Sequence, residues 1–249
     1  MSKLIINADD FGYTRGVTYG ILDAHTQGIV KSTTALTVSP HFEHAMQTAQ
    51  DFPNIGIGVH LALTLKNARP LTKNTTTLVD EKGIFHSQHD FASFVDPDEV
   101  YTEWQAQIQK FIDTGKRPTH LDSHHNVHGH EKIIQVAVQL AEEFDLPLRL
   151  PMDKNTVAYR SVPHTADLLH GFYGETATEN HLHAMLEEFS KTGTTGEIPC
   201  HPAYIDPELK QSTSYLEERL VEFATLTSDA TKQKIAETGI ELINYRDIE

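Results

Sequence analysis

Residues 119–130, with the sequence T-H-L-D-S-H-H-N-V-H-G-H, contain the densest group of side chains that could do chemistry. Five of the chain's sixteen histidines lie in this segment, together with Asp122. Neutral imidazole is the commonest metal ligand in proteins, and its ordinary pKa of about 6.5 also suits proton transfer. This density of histidines beside an aspartate is more typical of a metal or catalytic site than of a solvated loop.

Polar side chains also follow short segments that are apolar or β-branched. Asp9 and Asp10 come directly after L-I-I-N-A, and His60 comes directly after I-G-I-G-V. A carboxylate beside a buried strand is costly unless it meets a metal ion or a cationic partner, which favours a site over a simple turn. Six polar residues are expected at the ends of predicted strands: Asp9, Asp10, His60, His124, Arg149 and His201.

The elements that must position these residues alternate between strand and helix. Short β-branched and apolar segments predict the strands, and apolar residues spaced three or four apart predict the helices. The predicted strands are 4–8, 33–38, 55–59, 120–122, 147–150, 168–172, 196–200 and 240–244. The predicted helices are 16–27, 41–50, 96–114, 131–144, 180–191, 213–223 and 229–237.

This alternation predicts an α/β fold built on a parallel sheet. The length of 249 residues fits a single-domain, distorted (β/α) barrel that spans residues 1–249. We expect about seven parallel strands in it. In such a barrel the catalytic groups gather at the carboxyl ends of the strands. The six polar residues should therefore share one mouth of the barrel.

The composition argues against several classes of partner. Lys and Arg number 20 against 35 for Asp and Glu, a formal net charge of −15, whereas nucleic acids and anionic membranes attract basic surfaces. A single cysteine, Cys200, excludes an internal disulfide framework and favours a reducing compartment. The apolar run at 4–6 is too short for a signal peptide, and no segment is long enough to span a membrane. We expect a cytoplasmic protein.

At most two of the clustered histidines can bind one ion, so most of them have other roles. His128 lies four residues after His124 and would share its face if the segment is already helical. It is therefore the reserve ligand or a substrate contact, and Arg149 is a second candidate for substrate binding. His201, between Cys200 and Pro202, could pack in the core or act at the site.

Five motifs, in this order along nearly the whole chain, resemble the YdjC-like carbohydrate deacetylases, and within them the chitooligosaccharide (chitin disaccharide) deacetylases. They are N-A-D-D-F-G, S-T-T-A-L, G-V-H-L-A-L, T-H-L-D-S-H-H-N-V-H and C-H-P-A-Y-I-D. Some members have H-H-H-V-H where this chain has Asn126 in the middle position, but the ligand positions are intact.

The resemblance implies a metal-dependent hydrolase, active in chitin degradation, that removes acetyl groups from N-acetylglucosamine units of small chitooligosaccharides. Diacetylchitobiose 6-phosphate is the implied type of substrate. A homodimer and a distorted barrel related to polysaccharide deacetylases are implied too. By analogy, the metal ligands are Asp10, His60 and His124, while Asp9 is the general base and His201 the general acid.

The chemistry of these residue types agrees with that assignment. One ion held by two imidazoles and a carboxylate keeps positions open for water and for a carbonyl oxygen. A second carboxylate can take the water's proton, and a histidine can protonate the departing amine. Two nitrogen ligands favour Zn²⁺ or another transition metal, whereas the resemblance implies Mg²⁺.

Two other functions use similar residues. A metal-dependent phosphoesterase on a similar barrel would need enough ligands for two or three ions. A non-catalytic sugar-binding or metal-buffering protein would bind its ligand without releasing acetate, and it would not need Asp9 beside Asp10.

Residues 66–94 carry Thr, Asn, Asp, Gly and His without sustained periodicity. A long irregular stretch inside a compact domain is usually functional or contains small elements. We expect this segment to close over or shape the sugar cleft, with a small insertion on the side of the barrel as the alternative.

Overall fold

A computed structural model describes residues 1–152 and 156–248, without the side chains of 156 and 157. All strand pairings of its sheet are parallel. The strands are β1 (Lys3–Phe11), β2 (Ser32–Ala35), β3 (Gly56–Leu61), β4 (Leu121–Ser123), β5 (Asp167–Leu168), β6 (Thr195–Cys200) and β7 (Glu241–Ile243). Their order is β4-β3-β2-β1-β6-β5, and β7 pairs with the first half of β1. This curled parallel sheet with helices confirms the predicted α/β barrel-like fold.

Most of the longer helices bury an apolar face in the core. The helices are α1 (Arg15–Gln27), α2 (Phe42–Thr48), α3 (Phe91–Phe94), α4 (Pro97–Ile112), α5 (Ile134–Phe144), α6 (Glu179–Phe189), α7 (Leu209–Ser212), α8 (Glu217–Thr227) and α9 (Asp229–Thr238). In α4, for example, Trp104, Ile108 and Phe111 are buried at helical spacing. The Asp96 side chain caps this helix, and Pro97 begins it.

Three predicted elements differ from the observed ones. The 147–150 strand is reduced to one parallel bridge between Leu121 and Leu148, and β5 covers only the beginning of 168–172. The helix predicted at 213–223 begins instead at Glu217. Thr213 accepts the backbone N–H of Tyr215 with its hydroxyl, and such a local bond competes with helix formation.

The 66–94 segment is irregular but contains small elements. An antiparallel bridge joins Val79 to Phe85, and α3 ends the segment. Leu78, Phe85 and Phe91 are buried in the main core, so the segment is fastened by its own apolar side chains.

A close approach of β3 to the histidine-rich segment explains one of its glycines. A Cβ at Gly58 would lie 2.6 Å from the carbonyl oxygen of His120, which no larger residue tolerates. Among the described residues, no helix is long and apolar enough to cross a membrane.

Candidate metal and catalytic site

The carboxyl ends of β1 and β3 and the segment after β4 bring three potential metal ligands together. Asp10, His60 and His124 each offer an atom within 4.8 Å of the others. Oδ1 of Asp10 lies 3.5 Å from Nε2 of His60 and 3.0 Å from Nδ1 of His124. Adjacent parallel strands place their ends side by side, which accounts for this convergence of residues far apart in sequence.

An irregularity in β1 directs the side chains of two consecutive aspartates into the same cavity. Successive strand residues normally point to opposite faces of a sheet. Here the pairing with β2 shifts between Ala8 and Phe11, and Asp10 has a φ of 73°. A bulge of this kind re-aims a side chain. Both Asp9 and Asp10 therefore line the same cavity.

Asp122 fixes the orientation of His60. Its Oδ1 accepts a hydrogen bond from Nδ1 of His60 at 2.7 Å, and its Oδ2 accepts one from the Thr34 hydroxyl at 2.9 Å. Nε2 of His60 is thereby left to face Asp10. A carboxylate behind a histidine in this way is typical of metal ligands, because it holds the ring and raises its basicity.

The local charge also suits a cation. Among the residues that the structure describes, four buried carboxylates, Asp9, Asp10, Asp122 and Glu197, face two guanidinium groups, those of Arg149 and Arg219. Negative charge in excess favours bound cations. Burial lowers the pKa of His60, but the three aspartates outweigh this and raise it to about 9. The donor set and its charge therefore fit a divalent ion at Asp10, His60 and His124.

A second group of close ligand atoms, on Asp9, His60 and Asp122, fits an ion less well. Arg149 donates to both oxygens of Asp9, at 2.8 and 2.6 Å, and lies 2.9 Å from Asp122. Nδ1 of His60 is already bonded to Asp122. The arginine occupies the position that a cation would take.

Arg149, expected as a possible substrate contact, is fully buried behind Asp9. Besides Asp9 and Asp122, its guanidinium binds Glu197 at 2.7 Å, and Glu197 in turn accepts the hydroxyl of Tyr245. A guanidinium enclosed by three carboxylates has no surface to offer a sugar. In this structure it orients the Asp9 carboxylate instead.

Both ring nitrogens of His128, the reserve ligand, contact groups outside the candidate metal site. Its Nδ1 is 2.6 Å from the Ser123 hydroxyl and its Nε2 is 3.2 Å from the carbonyl oxygen of Arg149. The 3₁₀ segment His124–Gly129 contains two left-handed residues, His125 (φ 58°) and Asn126 (φ 53°). These residues break the helical geometry on which the shared face of His124 and His128 depended.

His201 follows β6, which pairs directly with β1, so it lies beside Asp9. Its Nε2 lies 3.9 Å from Oδ2 of Asp9, and its Nδ1 lies 3.8 Å from Oε1 of Glu222. Burial lowers the pKa of His201, but Glu222 and Asp9 outweigh this and raise it above the ordinary value.

Glu197 and Asp206 are acidic residues close to His201 in the sequence, but both have other partners. Asp206 binds the backbone N–H groups of Gly16 and Leu209. Glu222 is the residue that accepts the backbone N–H of His201.

Two charged residues of α8, one helical turn apart, also belong to the site and were not predicted from the sequence. Arg219 donates to Oδ2 of Asp10 at 2.7 Å, and Glu222 faces His201. Burial raises the pKa of Asp10, but Arg219 and His124 outweigh this and hold it well below the ordinary value. Arg219 and Glu222 are both buried. In sequence, a basic and an acidic residue three positions apart on a helix are typical of a solvated surface.

The site opens into a cavity of about 900 Å³. This volume is near the upper end of the roughly 300–1,000 Å³ that is typical of small-ligand pockets. Residues of 66–94 line it, including Lys66 and the run from Ile84 to Gln88, so the segment does border the site. The same cavity is lined by Asp9, Asp10, His60, His124 and His201.

The sequence of this chain is similar to those of bacterial carbohydrate deacetylases. A family model described as YdjC-like protein matches residues 3–237. A carbohydrate deacetylase of Enterococcus faecalis is 44% identical over 256 residues, covering 99% of this chain and 98% of its own. One of Geobacillus stearothermophilus is 39% identical over 243 residues, with 98% and 96% covered.

Solved structures extend the comparison. A crystal structure of an Enterococcus faecalis protein named for cellobiose-phosphate cleavage superposes with a TM-score of 0.95 at 43% identity, covering 98% of both chains. A family 4 carbohydrate esterase of Streptomyces lividans, in complex with acetate, gives a TM-score of 0.54 at 11% identity, covering 96% of this chain and 91% of its own. The second likeness is one of fold alone.

Proposed function

This chain belongs to the YdjC-like protein family, and on that basis we propose that it is a metal-dependent carbohydrate deacetylase. The single observation that carries the proposal is the position of Asp9 and His201 in one cavity with the Asp10, His60 and His124 group. The curated relatives named carbohydrate deacetylase, which match almost end to end, support it.

In the proposed reaction, Asp10, His60 and His124 hold one divalent ion. When bound, the ion supplies positive charge that polarises the amide carbonyl and activates water. Its identity is open between Mg²⁺, which the family resemblance favours, and Zn²⁺, which the two imidazole ligands favour.

Asp9 accepts the proton of the attacking water, and His201 donates a proton to the departing amine nitrogen. The attacking oxygen and the departing nitrogen are bonded to the same carbon, so the base and the acid must be close together. The 3.9 Å between His201 and Asp9 meets that requirement. Arg149 orients the base, and Glu222 holds the protonated form of the acid.

We propose N-acetylglucosamine units of small chitooligosaccharides as the substrate, with diacetylchitobiose 6-phosphate as a member of the class. We further propose a role in chitin degradation and a cytoplasmic homodimer. The volume of the cavity supports a ligand larger than one sugar ring.

The test is acetate release from diacetylchitobiose, its 6-phosphate and other N-acetylated sugars, with and without chelator. We expect acetate from at least one of them, lost on chelation and restored by a divalent ion. Intact acetyl groups on all of these sugars, with metal bound, would refute the proposal.

A second candidate, cleavage of a phosphorylated disaccharide, is favoured by the name of the Enterococcus faecalis structure. The products of the same incubations distinguish this activity from deacetylation, because glycosidic cleavage releases monosaccharides and phosphoester cleavage releases inorganic phosphate. Arg149 contacts both aspartates of the second ligand group. The described residues therefore provide a site for one ion, the Asp10, His60 and His124 group, and a multi-metal phosphoesterase needs more.

A further inference from the structure

Tyr173 is unusually exposed for a residue that lines the candidate site. It presents 57% of its surface to solvent, yet it borders the same cavity as Asp10 and His201. Its ring lies nearly flat against that of Tyr215, with centroids 4.5 Å apart and 11° between the planes. Tyr215 covers one face of the ring, so the opposite face is the one that a ligand in the cavity can contact.

The Tyr215 ring that stacks on Tyr173 is itself fixed by hydrogen bonds. The Tyr215 hydroxyl donates to Oε1 of Glu222 at 2.5 Å and accepts the backbone N–H of Gly174 at 2.8 Å. Gly171 and Gly174, on either side of Tyr173, have φ values of 122° and 60° that favour glycine. The tyrosine is therefore presented from a fixed turn, which limits the entropy that a ligand must remove.

We propose that the exposed face of Tyr173 binds the apolar face of the pyranose ring whose acetamido group is hydrolysed. A pyranose carries C–H groups on its faces and hydroxyl groups around its rim. The electron-rich face of an aromatic ring attracts such polarised C–H groups, and the contact excludes water from both surfaces. The inference rests on the proposed deacetylase function and specifies how that site recognises its sugar.

The distance to His201 identifies which sugar ring is bound. The centroid of the Tyr173 ring is 5.5 Å from that of the imidazole, with 76° between the planes. His201 must come within hydrogen-bond distance of the amide nitrogen, and that nitrogen is bonded directly to a ring carbon. The pyranose bearing the reacting group therefore lies beside Tyr173. In so large a cavity, this contact would orient the sugar for attack.

Single exposed aromatic residues also occur without function, and Tyr173 could simply cover Tyr215. Three substitutions separate these roles. Tyr173→Phe keeps the aromatic face, Tyr173→Leu keeps apolar cover without that face, and Tyr173→Ala removes both. Circular dichroism and the melting temperature of each variant show whether the fold is preserved.

The experiment measures binding of the deacetylated product, the glucosamine disaccharide, to the metal-loaded protein by calorimetry and by NMR. We expect the dissociation constant to rise about tenfold in Tyr173→Ala and Tyr173→Leu and to change less than about twofold in Tyr173→Phe. Bound-sugar C–H resonances should shift upfield in the wild type and in Tyr173→Phe only. Acetate, which has no ring, should inhibit all four proteins equally.

Wild-type affinity for the disaccharide in Tyr173→Ala and Tyr173→Leu would overturn the inference, and acetate release by the wild type would then leave the deacetylase function standing. Ring-dependent binding without acetate release from any N-acetylated sugar would support the tyrosine contact and refute the function. Equal losses of sugar and acetate affinity in Tyr173→Ala would also overturn the inference, because they would indicate damage to the whole site.

Discussion

Asp122 accepts a hydrogen bond from Nδ1 of His60 at 2.7 Å, which leaves Nε2 of His60 directed at Asp10. Asp122→Asn should therefore weaken binding of the divalent ion, because an amide holds the imidazole less firmly and makes it less basic. Losses of this kind are typically about 10–100-fold in metal affinity. Calorimetric titration of metal-free protein measures the change.

Asp145→Asn is a matched control, since Asp145 is exposed and has a left-handed backbone conformation that asparagine tolerates. Asp145 follows the last residue of α5 and is not one of the candidate ligands. It should bind the ion like the wild type. His60→Ala should reduce binding more than Asp122→Asn does, and full metal content in His60→Ala would contradict the ligand assignment.

His201→Ala should lower kcat by about 10²–10⁴ while metal content stays complete, because an amine departs poorly without a proton. Asp9→Asn should lose a comparable factor, since an amide cannot accept the proton of water. Acetate release and elemental analysis on the same samples provide both readings.

Loss of the ion from His201→Ala would instead make His201 a ligand. A near-normal kcat would mean that another group supplies the proton. His128 is not a good substitute, because its imidazole is buried between Ser123 and Arg149.

Glu222→Gln should move the alkaline limb of the pH–activity profile to lower pH. Burial lowers the pKa of His201, and the carboxylates of Glu222 and Asp9 raise it. Without the Glu222 charge, the pKa falls, so the acid loses its proton at lower pH and activity falls earlier as pH increases. Glu218→Gln, from the same turn of α8, should leave that limb in place.

Glu99→Ala should raise KM several-fold and leave kcat and metal content nearly unchanged. Oε2 of Glu99 accepts the backbone N–H and hydroxyl of Thr77, at 2.8 and 2.7 Å, and so fastens the 66–94 segment to α4. Steady-state kinetics on the disaccharide test it, with Glu142→Ala as a control, and identical KM values would argue against a role for 66–94 at the site.

His128→Gln should reduce the loss of stability in acid. Burial and the Arg149 guanidinium lower the pKa of His128 to about 4, against about 6.5 in an unfolded chain. Between these values the unfolded state binds more protons, so stability falls as the pH decreases. The full loss from this histidine is on the order of 3 kcal/mol.

Melting temperatures of chelated protein at pH 8 and pH 4.5 measure this difference. The decrease in melting temperature should be smaller in His128→Gln than in the wild type. In His89→Gln it should equal that of the wild type, since His89 is exposed. An equal decrease in His128→Gln would show that its protonation does not contribute.

The sequence alone determined the fold class and the three ligand candidates. The periodicities of strands and helices depend on residues close together in the sequence. The alternation of strands and helices that produces a parallel sheet could therefore be predicted from the sequence. The carboxyl ends of parallel strands meet at one edge, so residues placed at those ends could be expected to converge. Asp9, Asp10, His60, His124 and His201 do line one cavity.

The tertiary structure decided which partner each of these residues has. Arg219 and Glu222 look like surface charges of a helix in sequence, and only the packing of α8 buries them against Asp10 and His201. Arg149 likewise faces Asp9 rather than a sugar. A charge's partner depends on which elements pack together in space, and sequence spacing carries that information only within one helix or strand.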